Sequence, residues 1–275
     1  MNDILISVIL GIVEGITEFL PVSSTGHLIV VGHFLKFTGE KANAFEIFIQ
    51  LGAILAVVGY FRQRILRLIQ SLFGKPTPEG LSKNIALRFT MGIGIAFIPA
   101  AVLGLLFHDS IEDRLFTPNV VALALIVGGI AILIIERFCQ NPKTLVMEQI
   151  SLQKSFWIGV AQCFSLIPGM SRSASTIMGA LVVGLNREAA AEFSFFLAIP
   201  TMFAATLYSL LKILPSLCSE DIVTFSTGFI VSFIVAWLVI AGFMAFIKRH
   251  SFIVFGWYRI ILGLIILILA LLQVC

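Results

Sequence analysis

The chain has 275 residues, of which 59% are hydrophobic and only 12% charged, and its mean hydropathy is +1.06. A soluble domain is charged at about a quarter of its positions, so this composition excludes a water-soluble globule and points to an integral membrane protein. The net charge of +3, without a basic tail, excludes nucleic acid as a partner.

Apolar runs fall at about 4–20, 25–36, 44–61, 86–107, 118–136, 153–168, 174–185, 190–211, 222–247 and 252–273. A helix needs about 20 residues to cross the hydrocarbon at 1.5 Å per residue. The runs at 44–61, 86–107, 118–136, 190–211, 222–247 and 252–273 meet or approach that length. The other four are short and come as two pairs, each joined by a polar stretch, EGITEFLPVSSTGH (14–27) and PGMSRSAST (168–176). The pattern predicts an all-α membrane protein of six transmembrane helices plus two re-entrant helical hairpins. Irregular backbone at membrane depth is tolerated only where it lines a protein cavity.

The two halves, about 1–137 and 138–275, resemble each other and form one membrane domain. Gly11-Ile-Val-Glu14 parallels Gly159-Val-Ala-Gln162, Pro21 parallels Pro168, and Glu46 stands opposite Glu192. Each half is a hairpin plus three spans, an odd number, so the copies are expected in inverted topology. Putting 62–88 in the cytoplasm satisfies the positive-inside rule. Arg62, Arg64, Arg67, Lys75, Lys83, Arg88, Arg137, Lys143, Lys154, Arg187, Lys248 and Arg249 then lie inside. Lys36, Lys41, Arg114 and Lys212 lie outside, with the acidic Asp109, Glu112, Asp113, Glu220 and Asp221. The first hairpin enters from outside and the second from inside. Cys139, Cys163, Cys218 and Cys275 have no metal or CxxC spacing and read as small buried residues. No cationic segment precedes the first run, so no removable signal peptide is expected.

Ionisable groups at membrane depth need a reason. Glu14 and Glu18, at i and i+4, share one helix face. Two such carboxylates repel unless a cation or a shared proton lies between them, and a magnesium- or calcium-type ion would suit their oxygens. After Pro21 a helix restarts with Ser23 or Ser24 as its cap. The second hairpin restarts likewise after Pro168-Gly169. Two helix N-termini facing each other make an anion site, and Arg172 adds a planar fork that fits phosphate. The structural alternative for Arg172 is a buried pair with a glutamate such as Glu18. His27, three residues after Ser24, could serve Ser24 as a base, attack phosphorus itself or activate water. His33 reads as interfacial. Glu46 and Glu192 read as structural. Arg259, after Trp257 and Tyr258, reads as a snorkelling arginine in an interfacial belt. Pro99 and Pro200 lie inside spans, where kinks are expected.

Three segments taken together resemble the bacterial undecaprenyl-diphosphate phosphatase family of the bacitracin-resistance type. They are the Glu14–Glu18 pair, Ser23-Ser24-Thr25-Gly26-His27, and Pro168-Gly169-Met170-Ser171-Arg172-Ser173-Ala174-Ser175-Thr176. The resemblance extends over nearly the whole chain. It implies dephosphorylation of undecaprenyl diphosphate to undecaprenyl phosphate, which recycles the carrier lipid for peptidoglycan synthesis and confers bacitracin resistance. It implies Mg2+ or Ca2+, and a site facing the external side of the bacterial plasma (inner) membrane. It implies catalytic work for Glu18, Ser24, His27 and Arg172, with Glu14 and Glu18 on the metal. Ser23, Thr25, Ser171, Ser173 and Thr176 are expected to bind substrate. The nucleophile stays open between Ser24, His27 and water, and the oligomeric state is open, a homodimer included. The rival reading from the same architecture is a transporter or flippase for a phosphorylated substrate.

Overall fold

The computed structural model describes residues 3–75, 81–139, 141–213 and 221–272. Cys218, Glu220 and Cys275 lie outside the described residues, as do the side chains of Asp109, Glu112, Asp113, Lys212 and Asp221. The helices are α1 (Asp3–Thr17), α2 (Ser24–Leu35), α3 (Glu40–Tyr60), α4 (Arg62–Leu72), α5 (Lys83–Leu115), α6 (Pro118–Phe138), α7 (Leu152–Gln162), α8 (Arg172–Val182), α9 (Arg187–Ile213), α10 (Asp221–Ile247) and α11 (Ile253–Leu271). Short 3-10 turns cover Met147–Gln149 and Cys163–Leu166.

Six helices, α3, α5, α6, α9, α10 and α11, contain stretches long and apolar enough to cross a membrane. They answer the six long runs. Helix α5 continues past the apolar run at 107 to Leu115, because hydropathy marks the part that suits lipid and not the hydrogen-bonded end. Pro99 and Pro200 are carried inside α5 and α9. The short runs become α1, α2, α7 and α8, of 15, 12, 11 and 11 residues. At 1.5 Å per residue they reach about 16–23 Å, short of the ~30 Å hydrocarbon.

Packing decides where their ends meet. Helix α1 lies on α10 and α7 on α5, while α3 packs on α9 and α10, and α6 on α11. Glycines permit the closest approaches: a Cβ on Gly11 would stand 2.7 Å from Gly228 O, and one on Gly159 2.4 Å from Ala96 O. Without a hydrophobic difference between helix and lipid, such small-residue contacts are what hold helices together. An aromatic core fills the centre. Phe19 meets Phe195 edge to face at 5.4 Å, and Phe195, Phe196 and Phe61 continue it.

Helix α4 had no forecast in the apolar pattern, since it is amphipathic and polar. It carries Arg64 into an ion cluster, with Nε 2.7 Å from Glu148 Oε1 and NH1 2.5 Å from Glu192 Oε1. Burial works against the Arg64 charge, but its bonds and charges from Glu148 and Glu192 outweigh this and raise its affinity for the proton. Nearby loops are tied similarly: Arg187 to Glu136 at 2.7 Å, Lys248 to Glu188 at 3.3 Å, and Arg88 to Gln149 O at 2.9 Å. Segments assigned to one side by charge therefore do touch each other. Glu192 is a structural partner, as expected.

Candidate active site

The first polar stretch turns because its helix cannot continue through Pro21. Glu18 N still donates to Glu14 O at 2.9 Å, so Glu14 and Glu18 keep their helical spacing to the end of α1. Both side chains are buried. Helix α2 restarts at Ser24 with Ser23 as its cap, the Ser23 hydroxyl accepting from Gly26 N at 3.4 Å. Helix α8 repeats the device, with the Ser171 hydroxyl accepting from Ala174 N at 3.2 Å. Ser23 and Ser171 both have positive φ, 72° and 68°. A non-glycine residue pays about 1–3 kcal/mol for such a conformation, which persists where surrounding structure enforces it and clusters at functional sites.

The two restarts face each other. Ser24 Oγ donates to Glu18 Oε2 at 2.5 Å, and Arg172 NH2 donates to Glu18 Oε1 at 3.2 Å. Both Glu18 oxygens are therefore engaged, one by each hairpin. Arg172 also donates to Ser194 O and Oγ, at 3.2 and 3.3 Å, and lies 5.7 Å over the Phe19 ring. The ion pair with Glu18, the structural alternative for Arg172, is thus present, and it lies inside the constellation. Ser173 Oγ donates to Leu20 O at 2.8 Å, a second bond from one hairpin to the turn of the other. Ser171 Oγ lies 3.0 Å from Ser173 Oγ. Thr25 is half-buried on the first turn of α2. Thr176 is fully buried, and its hydroxyl bonds Ser194 Oγ at 2.6 Å and Arg172 O at 2.9 Å, so it packs α8 on α9.

His27 does not bond Ser24. Its Nδ1 lies 2.7 Å from Ser23 O and its Nε2 2.6 Å from Tyr258 Oη. The ring folds back one turn onto the cap carbonyl, and that leaves the Ser24 hydroxyl to Glu18. His33 is exposed, in keeping with an interfacial position.

Arg259 corrects the sequence reading. It is no snorkelling belt residue but is wholly buried. Its guanidinium donates to Pro21 O at 3.4 Å, Met170 O at 3.0 Å, Gly169 O at 3.0 Å, Ala124 O at 3.2 Å and Leu125 O at 3.4 Å. One side chain from α11 thus ties both hairpin turns to α6. Gly128, whose added Cβ would stand 2.2 Å from Arg259 NH2, leaves the room. Ser194, Tyr258 and Arg259 are the site residues that sequence reasoning missed. A serine among phenylalanines and an arginine inside an apolar run were the available signals.

The family description "Bacitracin resistance protein BacA" matches residues 7–265. The chain belongs to that family. Undecaprenyl-diphosphatase of Caldanaerobacter subterraneus is 53% identical over 262 residues, 95% of this chain and 94% of that one. The protein of the same name from Ectopseudomonas mendocina is 52% identical over 261 residues, 95% and 92% of the two chains. The one from Nitrosomonas europaea is 48% identical over 264 residues, 96% and 93%.

In this BacA-family chain, the fit for a divalent cation rests on Glu14. Its Oε1 is buried without a hydrogen-bond partner, as is Arg172 Nε. A buried carboxylate oxygen left open suits a cation, and a buried guanidinium N–H left open suits an anion. Among the described residues, no group of three or more His, Cys, Asp or Glu side chains is arranged to cage a metal. Glu14 and Glu18 would offer one or two carboxylates to a magnesium- or calcium-type ion.

Proposed function

We propose that this chain dephosphorylates undecaprenyl diphosphate to undecaprenyl phosphate, recycling the carrier lipid for peptidoglycan synthesis and conferring bacitracin resistance. It is a multi-pass protein of the bacterial inner membrane and a hydrolase. The observation that carries the reading is the Glu18 carboxylate, which accepts from Ser24 of one hairpin at 2.5 Å and from Arg172 of the other at 3.2 Å. A base, a hydroxyl and a phosphate-binding fork converge there at the start of two helices.

Ser24 is the nucleophile in this reading. Glu18 takes the hydroxyl proton as the Ser24 oxygen attacks the terminal phosphorus, the bond from that phosphorus to the bridging oxygen breaks, and undecaprenyl phosphate leaves; water then cleaves the Ser24–phosphorus bond, phosphate is released and Ser24 regains its proton from Glu18. Arg172 binds the phosphate oxygens and neutralises the charge that develops on them. The N-terminal ends of α2 and α8, with Ser23, Thr25, Ser171 and Ser173 beside them, hold the diphosphate. Glu14, with Glu18 beside it, holds Mg2+ or Ca2+, which when bound screens the diphosphate charge and polarises its oxygens. His27 handles a proton beside the reacting group.

The domain is a single unit of two inverted halves, 1–137 and 138–275, with α1/α2 and α7/α8 as re-entrant hairpins. The exchange of partners supports this, since each hairpin's first helix packs on the middle span of the opposite half, α1 on α10 and α7 on α5. The site opens to the external side of the membrane, where the lipid's tail can stay in the bilayer while its head is processed.

The test is phosphate release from undecaprenyl diphosphate by detergent-purified protein, with and without Mg2+, beside Arg172→Ala. Release should need both the metal and Arg172. No release by folded wild-type protein, with lipid movement in liposomes instead, would replace hydrolysis by transport.

A further inference from the structure

Tyr258 has no part in the reading above, yet its hydroxyl reaches the one histidine of the site. Its Oη lies 2.6 Å from His27 Nε2, with the two rings nearly parallel at 4° and their centroids 5.7 Å apart. The other ring nitrogen, Nδ1, lies 2.7 Å from Ser23 O. A carbonyl oxygen accepts only, so Nδ1 carries the hydrogen. In a neutral imidazole Nε2 then offers a lone pair, and the Tyr258 O–H donates to it. When His27 takes a proton, Nε2 donates instead, and the same hydroxyl rotates to accept. A phenol can do both, where an ionised carboxylate at that point would only accept.

The placement of Tyr258 is itself fixed. Its neighbour Arg259 is anchored to five backbone carbonyls of both hairpin turns and α6. The helix that presents the tyrosine therefore moves with the site. Tyr258 remains 45% exposed, so its ring is not needed to fill a core.

We propose that Tyr258 is a positioning residue for the hydrolysis, holding the His27 ring through Nε2 while Ser23 O holds it through Nδ1. The proposal rests on the reading that His27 takes part in the reaction. Hydrogen bonds at both ring nitrogens fix the orientation of the imidazole, and misplacement of a catalytic group costs about 10- to 100-fold in rate.

Tyr258→Phe keeps the ring and removes only the hydroxyl. Purified Tyr258→Phe should release phosphate with kcat lowered about 10- to 100-fold and KM within about twofold of wild type. Imidazole nitrogen NMR of the full-length protein gives a second readout, with His27 assigned by the resonance lost in His27→Gln. In both proteins Nδ1 should carry the hydrogen, held by Ser23 O, and the Nε2 resonance should shift in Tyr258→Phe, where the bond from the phenol is lost. Wild-type kcat in Tyr258→Phe would overturn the proposal, and so would a slow variant whose His27 Nε2 resonance is unchanged. If wild-type protein released no phosphate, hydrolysis itself would fall, and an Nε2 resonance unaltered by Tyr258→Phe would still separately reject the Tyr258 contact.

Discussion

Glu14 and Glu18 look alike in sequence and differ in what surrounds them. Their i, i+4 spacing was legible, and so was the need for a compensating cation or proton. The division between them was not, because it depends on Ser24 and Arg172, which reach Glu18 across a turn and from the other half of the chain. Glu14 keeps an oxygen open, whereas both oxygens of Glu18 are bonded. Their variants should therefore fail differently. Glu14→Gln should raise the Mg2+ concentration for half-maximal activity at least about tenfold, since an amide oxygen is a weaker ligand than a carboxylate. Glu18→Gln should instead lower kcat about 100-fold even at saturating Mg2+, because it removes the base facing Ser24. A Mg2+ titration of phosphate release for both variants checks this. Equal metal dependence in the two would mean that they share one role.

At the scale of elements, the six long helices and the four short ones followed from hydropathy and length. Turn chemistry also located the restarts, because Pro21 and Pro168 stop a helix and Ser23 and Ser171 start one. The tie between the restarts was hidden. Trp257-Tyr258-Arg259 has the composition of an interfacial belt, and no local pattern reveals that the arginine turns inward among backbone carbonyls. Its effect on stability should be large. Arg259→Met would bury the turn carbonyls of Pro21, Gly169 and Met170 without this donor, at about 1–3 kcal/mol for each left unsatisfied. Thermal unfolding in detergent should shift down by several degrees, and phosphate release should be lost with it. Arg259→Lys should recover only part, since an ammonium has three donors and no planar fork. An Arg259→Met protein as stable and active as wild type would mean that the hairpin turns are held by helix packing alone.

For the whole molecule, topology follows from where the cations sit. The charge asymmetry of the loops was legible, and the contacts of Arg64, Arg187 and Lys248 gather the segments it assigns inside. What no charge count could supply is α4, whose polar sequence hides a helix that brings Arg64 to Glu148 and Glu192. Lys36, at the end of α2, and Lys75, after α4, are both exposed, and the positive-inside rule puts them on opposite sides of the membrane. Replacing each by cysteine in a background without the four native cysteines makes the sidedness measurable. A membrane-impermeant maleimide should label Lys36→Cys in cells whose outer barrier alone is opened. It should reach Lys75→Cys only after the inner membrane is broken. Because α2 starts at Ser24 in the site and ends beside Lys36, external labelling there would put the mouth of the first hairpin on the outer face. The reverse pattern would turn the site towards the cytoplasm, and the enzyme would then act on carrier lipid at the inner leaflet.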